Sequence, residues 1–329
     1  MCLYPKLIKN KKYTSNKKNG GFIPTVFDER TLLVPVGCGN CIECRKQKAR
    51  SWQVRLLEDI KVNTECVFVT LTFDNDSLNN LLKDVTKTGD IIDNDVCTLA
   101  VRRFLERWRW EFKKSVRHWL ITELGHNGTE RVHLHGLIFS KDIKAIERIW
   151  KYGWVYFGSY VNERTVNYII KYVTKVDLRN RNFKAKILCS KGIGSNYLSS
   201  INAERNLFKG KNTKESYKNK QGYELNLPIY YRNKIYSDEE REKLWLNRLD
   251  KEIRFVMGEK IDVSKDDTNY YNTLKYLLPL SLLNIITDGA TASSLFAIAS
   301  SIDMSDSPKH FPQNSSHSFF IHSFSEFGL

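Results

Sequence analysis

Between residues 66 and 177 the hydrophobic period of this chain switches between two and 3.6 in an order that few folds accommodate. Cys66–Phe73 (CVFVTLTF) is β-branched and aromatic and predicts a mostly buried strand. Residues 74–97 are acidic, Asn-rich and contain Gly89, which reads as a loop. Leu99–Lys114 then places Val101, Phe104, Leu105, Trp108 and Phe112 on one helical face, with charge on the other. Val116–Glu123 and Val132–Phe139 predict two strands joined by the turn GHNGTER. Asp142 is placed to cap a helix whose apolar positions are Ile143, Ile146, Ile149 and Trp150. Trp154–Val161 predicts a fourth strand and Glu163–Asp177 a further helix.

The order β-α-β-β-α-β plus one helix is the ferredoxin-like split βαβ arrangement, an α+β fold. It predicts a mostly antiparallel sheet with helices on one face; the sequence gives no position for a fifth strand. On either side of this unit (residues 61–180) the composition changes. Residues 1–60 form a basic segment with a cysteine cluster at 38–44; residues 1–35 are expected as an extended arm, and Trp52, Leu56, Leu57 and Ile60 mark a helix. Residues 181–292 read as a basic, partly helical extension, with a charged helix near Asp238–Phe255. Residues 293–329 contain eleven Ser among 37 residues and are expected to be disordered or loosely held.

Charge narrows the partner. Lys and Arg total 52 against 37 Asp and Glu, a formal net charge of +15, which points to a polyanion, nucleic acid ahead of a membrane surface. The excess falls in two blocks: eleven basic against three acidic residues in 1–50, and ten against two in 181–220. Two separated blocks suit a protein that grips a strand at more than one place. With 41% hydrophobic residues the chain can build a core, so wholesale disorder is excluded. Seven cysteines and no leader-like start predict reduced thiols in a soluble, intracellular protein. The apolar stretch Leu274–Ile286 is interrupted by Lys275 and Pro279 and falls short of a membrane span.

The chemistry concentrates on three groups of residues. His133 and His135 stand two apart within VHLHGLIF, so both imidazoles share one strand face, and Gly136 leaves room for close approach. If Glu123 pairs opposite His133 across the hairpin, its carboxylate joins them, giving a His-His-carboxylate site for a divalent ion that also binds a phosphate oxygen. A register shift of one residue would turn Glu123 away and leave His126, in the turn, as the substitute ligand.

The last helix carries the second group. Tyr168, Lys171, Tyr172 and Lys175 fall within an arc of about 100°, while Val166, Ile169, Ile170 and Val173 occupy the opposite side. Two phenols thus project one turn apart, each near a lysine whose ammonium favours the phenolate and can neutralise charge on a phosphate. A basic surface stripe would show the same spacing.

The third group is Cys38-Gly-Asn-Cys41-Ile-Glu-Cys44, a spacing that suits a knuckle around a thiophilic metal. Zinc requires a fourth ligand, for which Cys2 is the candidate. An Fe–S cluster is the alternative, although the following Cys-Pro is lacking. Free thiols in a basic turn are the simplest alternative, and Cys66, Cys97 and Cys189 read as core or incidental.

Together the segments TLTF, TELG…RVHLHG and YIIKYVTK resemble, in order, the three motifs of the HUH endonucleases, and the paired tyrosines resemble the two-tyrosine class. With MCLYP and CGNCIECRKQKARSWQVR included, residues 1–180 resemble the replication initiators of the Microviridae, especially the gokushovirus-like branch. The chain has Thr122-Glu123-Leu124-Gly125 where that family often has Gly-Glu-x-Gly.

The resemblance implies Mg²⁺ or Mn²⁺ at His133 and His135, with Glu123 as third ligand. It also implies attack by Tyr168 or Tyr172 to give a 5′-phosphotyrosine, with Lys171 and Lys175 beside them. The expected partners are a single-stranded or supercoiled DNA origin and a host helicase and polymerase. The expected location is the cytoplasm of a bacterial host. A plasmid relaxase or transposase of the same superfamily, and a non-enzymatic zinc-knuckle protein that coats single strands, are the alternatives.

Overall fold

A computed structural model of the chain describes residues 2–85, 92–125, 130–158, 160–177, 180 and 183–283. The Ser-rich tail, Gly89 and His126 lie outside the described residues. The described residues fall into two compact units, one built from Lys48–Glu204 and Tyr217–Pro228, the other from the chain up to Gln47, Arg205–Ser216 and the residues from Ile229 on.

The first unit is organised by a five-stranded antiparallel sheet. Its strands are β1 (Val67–Leu71), β2 (Arg117–Leu124), β3 (Val132–Phe139), β4 (Val155–Phe157) and β5 (Ile187–Cys189), in spatial order β4-β1-β3-β2-β5. The unplaced fifth strand is therefore β5, three residues long and added at the β2 edge. A side chain steers it there: the buried Thr122 hydroxyl accepts from Lys186 N at 2.8 Å and donates to Asn94 Oδ1 at 2.6 Å.

The helices are α1 (Ile42–Val62), α2 (Asn75–Asp84), α3 (Ile92–Phe112), α4 (Ile143–Trp150) and α5 (Glu163–Thr174). They cover both faces of the sheet, not one as expected. On one face Val69, Leu71, Leu120, Leu134 and Ile138 pack with residues of α2, α3 and α4, among them Leu81, Phe104 and Trp150. On the other, Trp119, Ile121 and Leu137 pack with Leu56 of α1 and with Ile169 and Val173 of α5. The reason lies in the runs Trp119-Leu120-Ile121 and Leu137-Ile138. Consecutive apolar residues point to opposite faces of a strand, so both faces need cover.

The segment read as a loop over 74–97 contains α2 and the start of α3. Several of its acidic residues sit at helix N-termini: Asp74 caps α2 by accepting from Ser77 N at 2.7 Å, and Asp93 and Asp95 lie in the first turn of α3. Carboxylates there complement the helix dipole, so loop-like composition marked helix starts. Two other caps are formed by side chains, the first of them as expected. Asp142 accepts from Ala145 N at 2.9 Å at the start of α4, and Asn162 accepts from Thr165 N at 3.1 Å at the start of α5. The fourth strand is shorter than expected, and α5 ends at Thr174.

In the second unit the N-terminal residues are folded, not extended as expected. Lys6–Lys9 pairs antiparallel with Leu33–Val36, and Tyr13 is buried with its hydroxyl donating to Glu242 at 3.0 Å. The helix Asp238–Leu249 opens with a Ser237/Glu240 capping box, and the chain beyond it, expected as helix to Phe255, turns into the hairpin Ile253–Val256/Glu259–Asp262. The helix Thr268–Leu283 follows. No described helix is long and apolar enough to cross a membrane.

Candidate metal and tyrosine site

The β2–β3 register places Glu123 directly opposite His133, and His135 opposite Ile121, so Glu123, His133 and His135 share one sheet face. This register suits Gly136, which lies tight against β2 where a side chain would not fit. A Cβ there would stand 2.0 Å from the Trp119 carbonyl oxygen and 2.8 Å from Leu120 Cα. Gly136 thus makes room for the neighbouring strand.

Glu123 Oε2 lies 2.7 Å from His135 Nε2 and 3.2 Å from His133 Nε2, and Lys175 Nζ bonds Oε1. His133 Nδ1 is 3.2 Å from the Arg131 carbonyl oxygen. A carbonyl only accepts, so Nδ1 carries a proton, and in the neutral ring Nε2 presents a lone pair. Nε2 of each imidazole thus converges on the Glu123 carboxylate, at separations that either a shared proton or a metal ion can bridge. His135 has the same option, with Nδ1 2.9 Å from the Thr70 hydroxyl. Adjacent ligands of an octahedral ion with bonds of ~2.1 Å stand roughly 3.0 Å apart, close to the two observed separations. The three residues can hold a metal ion.

Burial alone would raise the Glu123 carboxyl, but hydrogen bonds from His133, His135 and Lys175 outweigh it and hold the group well below the usual carboxylate range. His135 is pushed down, first by burial and against the pull of Glu123. Both directions keep Glu123 anionic and His135 neutral, the protonation states a metal ligand needs.

Helix α5 brings the tyrosines over this face. Val166, Ile169, Ile170 and Val173 anchor it, as the spacing predicts. The two phenols differ, however. Tyr172 is 4% exposed and lies flat on His135, whereas Tyr168 is 46% exposed and meets Phe68 edge-on at 5.9 Å. Their hydroxyls are 2.8 Å apart, Tyr172 donating.

The lysines do not stand beside the phenol oxygens as expected. Lys171 Nζ lies over the Tyr168 ring, 3.9 Å from its centroid, and Lys175 is bonded to Glu123. Tyr172 is accordingly pushed above the ordinary phenol range, by burial and then by the Tyr168 hydroxyl, and not toward phenolate.

Sequence reasoning missed Thr70, which supports His135, and the edge aromatics Trp154 and Tyr156. Thr70 pairs with both His135 and Tyr156, so Tyr156 lies on the ligand-bearing face two strands away from His135. Thr72 bonds the Trp154 carbonyl through its N–H at 3.0 Å and its hydroxyl at 2.9 Å, which puts Trp154 in the next row. Trp154 is 76% and Tyr156 62% exposed. The available signal was the alternation Phe68, Thr70, Thr72, which marks the same polar face as the histidines.

Cys2, Cys38, Cys41 and Cys44, in the other unit, also converge, their sulfurs all within 4.8 Å of one another, and can hold a metal ion. Cys66 and Cys189 are half-buried and Cys97 is buried, all three as free thiols.

The model of the replication-associated protein family of the ORF2 and gene 2 protein type matches residues 66–177, about a third of the chain. The matched segment contains Glu123, His133, His135, Tyr168, Lys171, Tyr172 and Lys175, and none of the four clustered cysteines. Over that segment the chain is similar to replication-associated proteins. Comparison with curated proteins and with solved structures yields no match.

Proposed function

We propose that the protein is a rolling-circle replication initiator of the HUH endonuclease type, with the matched segment forming a ferredoxin-like nuclease core. In this reading it nicks and rejoins single-stranded origin DNA through a 5′-phosphotyrosine. The observation that carries the reading is the convergence, on one sheet face, of Glu123, His133 and His135 with two tyrosines whose hydroxyls are in hydrogen-bond contact.

Glu123, His133 and His135 would hold Mg²⁺ or Mn²⁺, which when bound supplies Lewis-acid charge to a scissile phosphate oxygen. The chain's residues do the rest. One phenol oxygen forms the Tyr O–P bond, the P–O3′ bond breaks, and the phenol proton is balanced by the proton taken up at the leaving 3′ oxygen. Transesterification conserves the phosphodiester energy, so no nucleotide cofactor is required. Because the hydroxyls of Tyr168 and Tyr172 are 2.8 Å apart, the second phenol stays within reach of the same phosphate when the first is occupied. A regenerated origin can then be cut by the free tyrosine while the released 3′-OH displaces the first linkage. Lys171, which lies over the Tyr168 ring, would supply positive charge to the bound phosphate, and Lys175 orients Glu123.

The bases on either side of the scissile phosphate would stack on Trp154 and Tyr156, and the basic blocks at 1–50 and 181–220 would track the backbone. The 3′-OH would prime a host polymerase behind a host helicase. The setting is the cytoplasm of a phage-infected bacterium, as the Microviridae resemblance implies. The deciding experiment is incubation with single-stranded circular origin DNA and Mn²⁺, followed by denaturing electrophoresis. A covalent protein–DNA adduct at Tyr168 or Tyr172 is expected. Strand coating without any adduct or nick would reject the enzyme in favour of a binding protein.

A further inference from the structure

The cysteine cluster takes no part in strand transfer, and its surroundings define what it binds. Cys2 and Cys41 sulfurs are 3.9 Å apart. That is far beyond a disulfide bond of ~2.05 Å and close to the edge of a tetrahedron with Zn–S bonds of ~2.3 Å, roughly 3.8 Å. Cys2, Cys41 and Cys44 are buried, and Cys38 is half-buried.

Five backbone N–H groups are aimed at the sulfurs. Tyr4 and Cys38 donate to Cys2 at 3.3 and 3.2 Å, Cys41 donates to Cys38 at 3.3 Å, and Leu3 and Cys44 donate to Cys41 at 3.5 Å. Such bonds are strong when the acceptor is ionised, so the backbone is arranged for thiolates.

A second observation is independent of the sulfurs. Arg45, the residue after Cys44, has Nε and Nη2 shut from solvent with no hydrogen-bond partner. A guanidinium stays charged, and burying it unpaired is costly unless an anion lies nearby. The ionisable groups that act on it are those of the cluster, Cys41 and Cys38. Four neutral thiols would leave Arg45 uncompensated. Four thiolates around a divalent ion carry a net charge of −2 and compensate it.

We propose that Cys2, Cys38, Cys41 and Cys44 hold one Zn²⁺ as a closed tetrathiolate, that Arg45 is its counter-charge, and that the site staples the N-terminus to the rest of its unit. Binding releases the thiol protons, leaves zinc redox-unchanged and fills all four positions with protein sulfur, so the role is structural. The staple has something to hold. Leu3 and the cluster pack against Val256 and Ile261 of the 253–262 hairpin and Tyr270 and Leu274 of the last described helix. The inference is independent of the strand-transfer reading and survives its failure.

The full chain, purified without added metal, should contain about one zinc by elemental analysis. Co²⁺ exchanged into the unmutated protein should give the sulfur-to-metal charge-transfer and visible bands of tetrahedral tetrathiolate cobalt, a readout that needs no variant to fold. Cys41→Ser should lose the zinc. Arg45→Met should weaken zinc retention about 10- to 100-fold against a chromogenic chelator, as loss of an outer partner does elsewhere, with Arg45→Lys recovering most of it. Absence of metal, iron in place of zinc, a cobalt spectrum without sulfur ligation, or zinc untouched by Cys41→Ser would overturn the site. Arg45→Met holding zinc as tightly as the parent would overturn the counter-charge.

Discussion

Tyr172 lies flat against His135, with ring centroids 4.4 Å apart and planes 9° from parallel. The contact ties α5 to β3 through a proposed nucleophile and a proposed ligand, so the distance from phenol to phosphate does not depend on a loop. It also separates two roles within one side chain. The ring positions the helix, and the hydroxyl, turned to Tyr168, is left for chemistry.

Phenylalanine at each tyrosine keeps the ring and removes only the hydroxyl. Tyr168→Phe and Tyr172→Phe should each retain nicking, because one phenol suffices for one covalent linkage, but lose release of closed circles. The double variant should form no adduct. Tyr172→Phe should cost about 1 kcal/mol of stability, the worth of one hydrogen bond. Circle formation at the parental rate by a single variant, scored on denaturing gels, would defeat the paired mechanism.

Replacing His133 and His135 together by Ala should abolish cleavage while leaving single-strand affinity within about threefold, since phosphate contacts by Lys and Arg supply most of that affinity. Excess chelator should do the same to the unmutated protein, with recovery on adding Mn²⁺. Cleavage that persists in chelator excludes the metal role of Glu123, His133 and His135.

The site was more legible than the scaffold around it, for a physical reason. His133, His135 and Glu123 follow from strand periodicity and one register, and the register suits Gly136, a residue visible in the sequence. The tyrosine pair likewise follows from helical spacing. What spacing could not give was depth. Tyr172 and Tyr168 share an arc, yet one is buried on His135 and the other exposed, and Lys175 reaches across to Glu123. The second helical layer was hidden because α1 precedes the strands in sequence, and its own periodicity does not say which sheet face it covers. Strand β5 was hidden because three residues carry no period; Thr122 and Lys186 hold it through contacts 64 residues apart in sequence.

Gly136→Ala should be among the most destabilising single changes in the sheet. Its methyl would collide with backbone atoms of Trp119 and Leu120, which cannot rotate away as a side chain can. A cost of roughly 3 kcal/mol is expected, the upper range for overpacking, read as a lowered urea midpoint with an unchanged slope. A midpoint equal to the parent's would mean that β2 and β3 can separate without penalty, and the register argument for Glu123 would lose its support.

Trp154 and Tyr156 test the path of the DNA. Both project from the edge strand on the face that carries the ligands, with Thr70 and Thr72 between them and the histidines. Threonine is short, so little side-chain bulk stands between the aromatic edge and the candidate metal position. Two strand spacings set them roughly 10 Å apart, enough for a sugar-phosphate chain between a held phosphate and a stacked base. Large aromatics this exposed gain little for folding, and a base offers them a flat apolar partner. Trp154→Ala and Tyr156→Ala should therefore each weaken single-stranded DNA binding by about 1–3 kcal/mol, the usual worth of base stacking, with little change in thermal stability. Trp154 fluorescence should be quenched by an origin oligonucleotide, and much less by its duplex, whose bases are already stacked. The change should appear in affinity and KM more than in the rate at saturating DNA, because neither residue touches the reacting phosphate. Unchanged affinity in both variants, or equal quenching by duplex, would move the DNA off this edge and leave the path to the basic blocks alone.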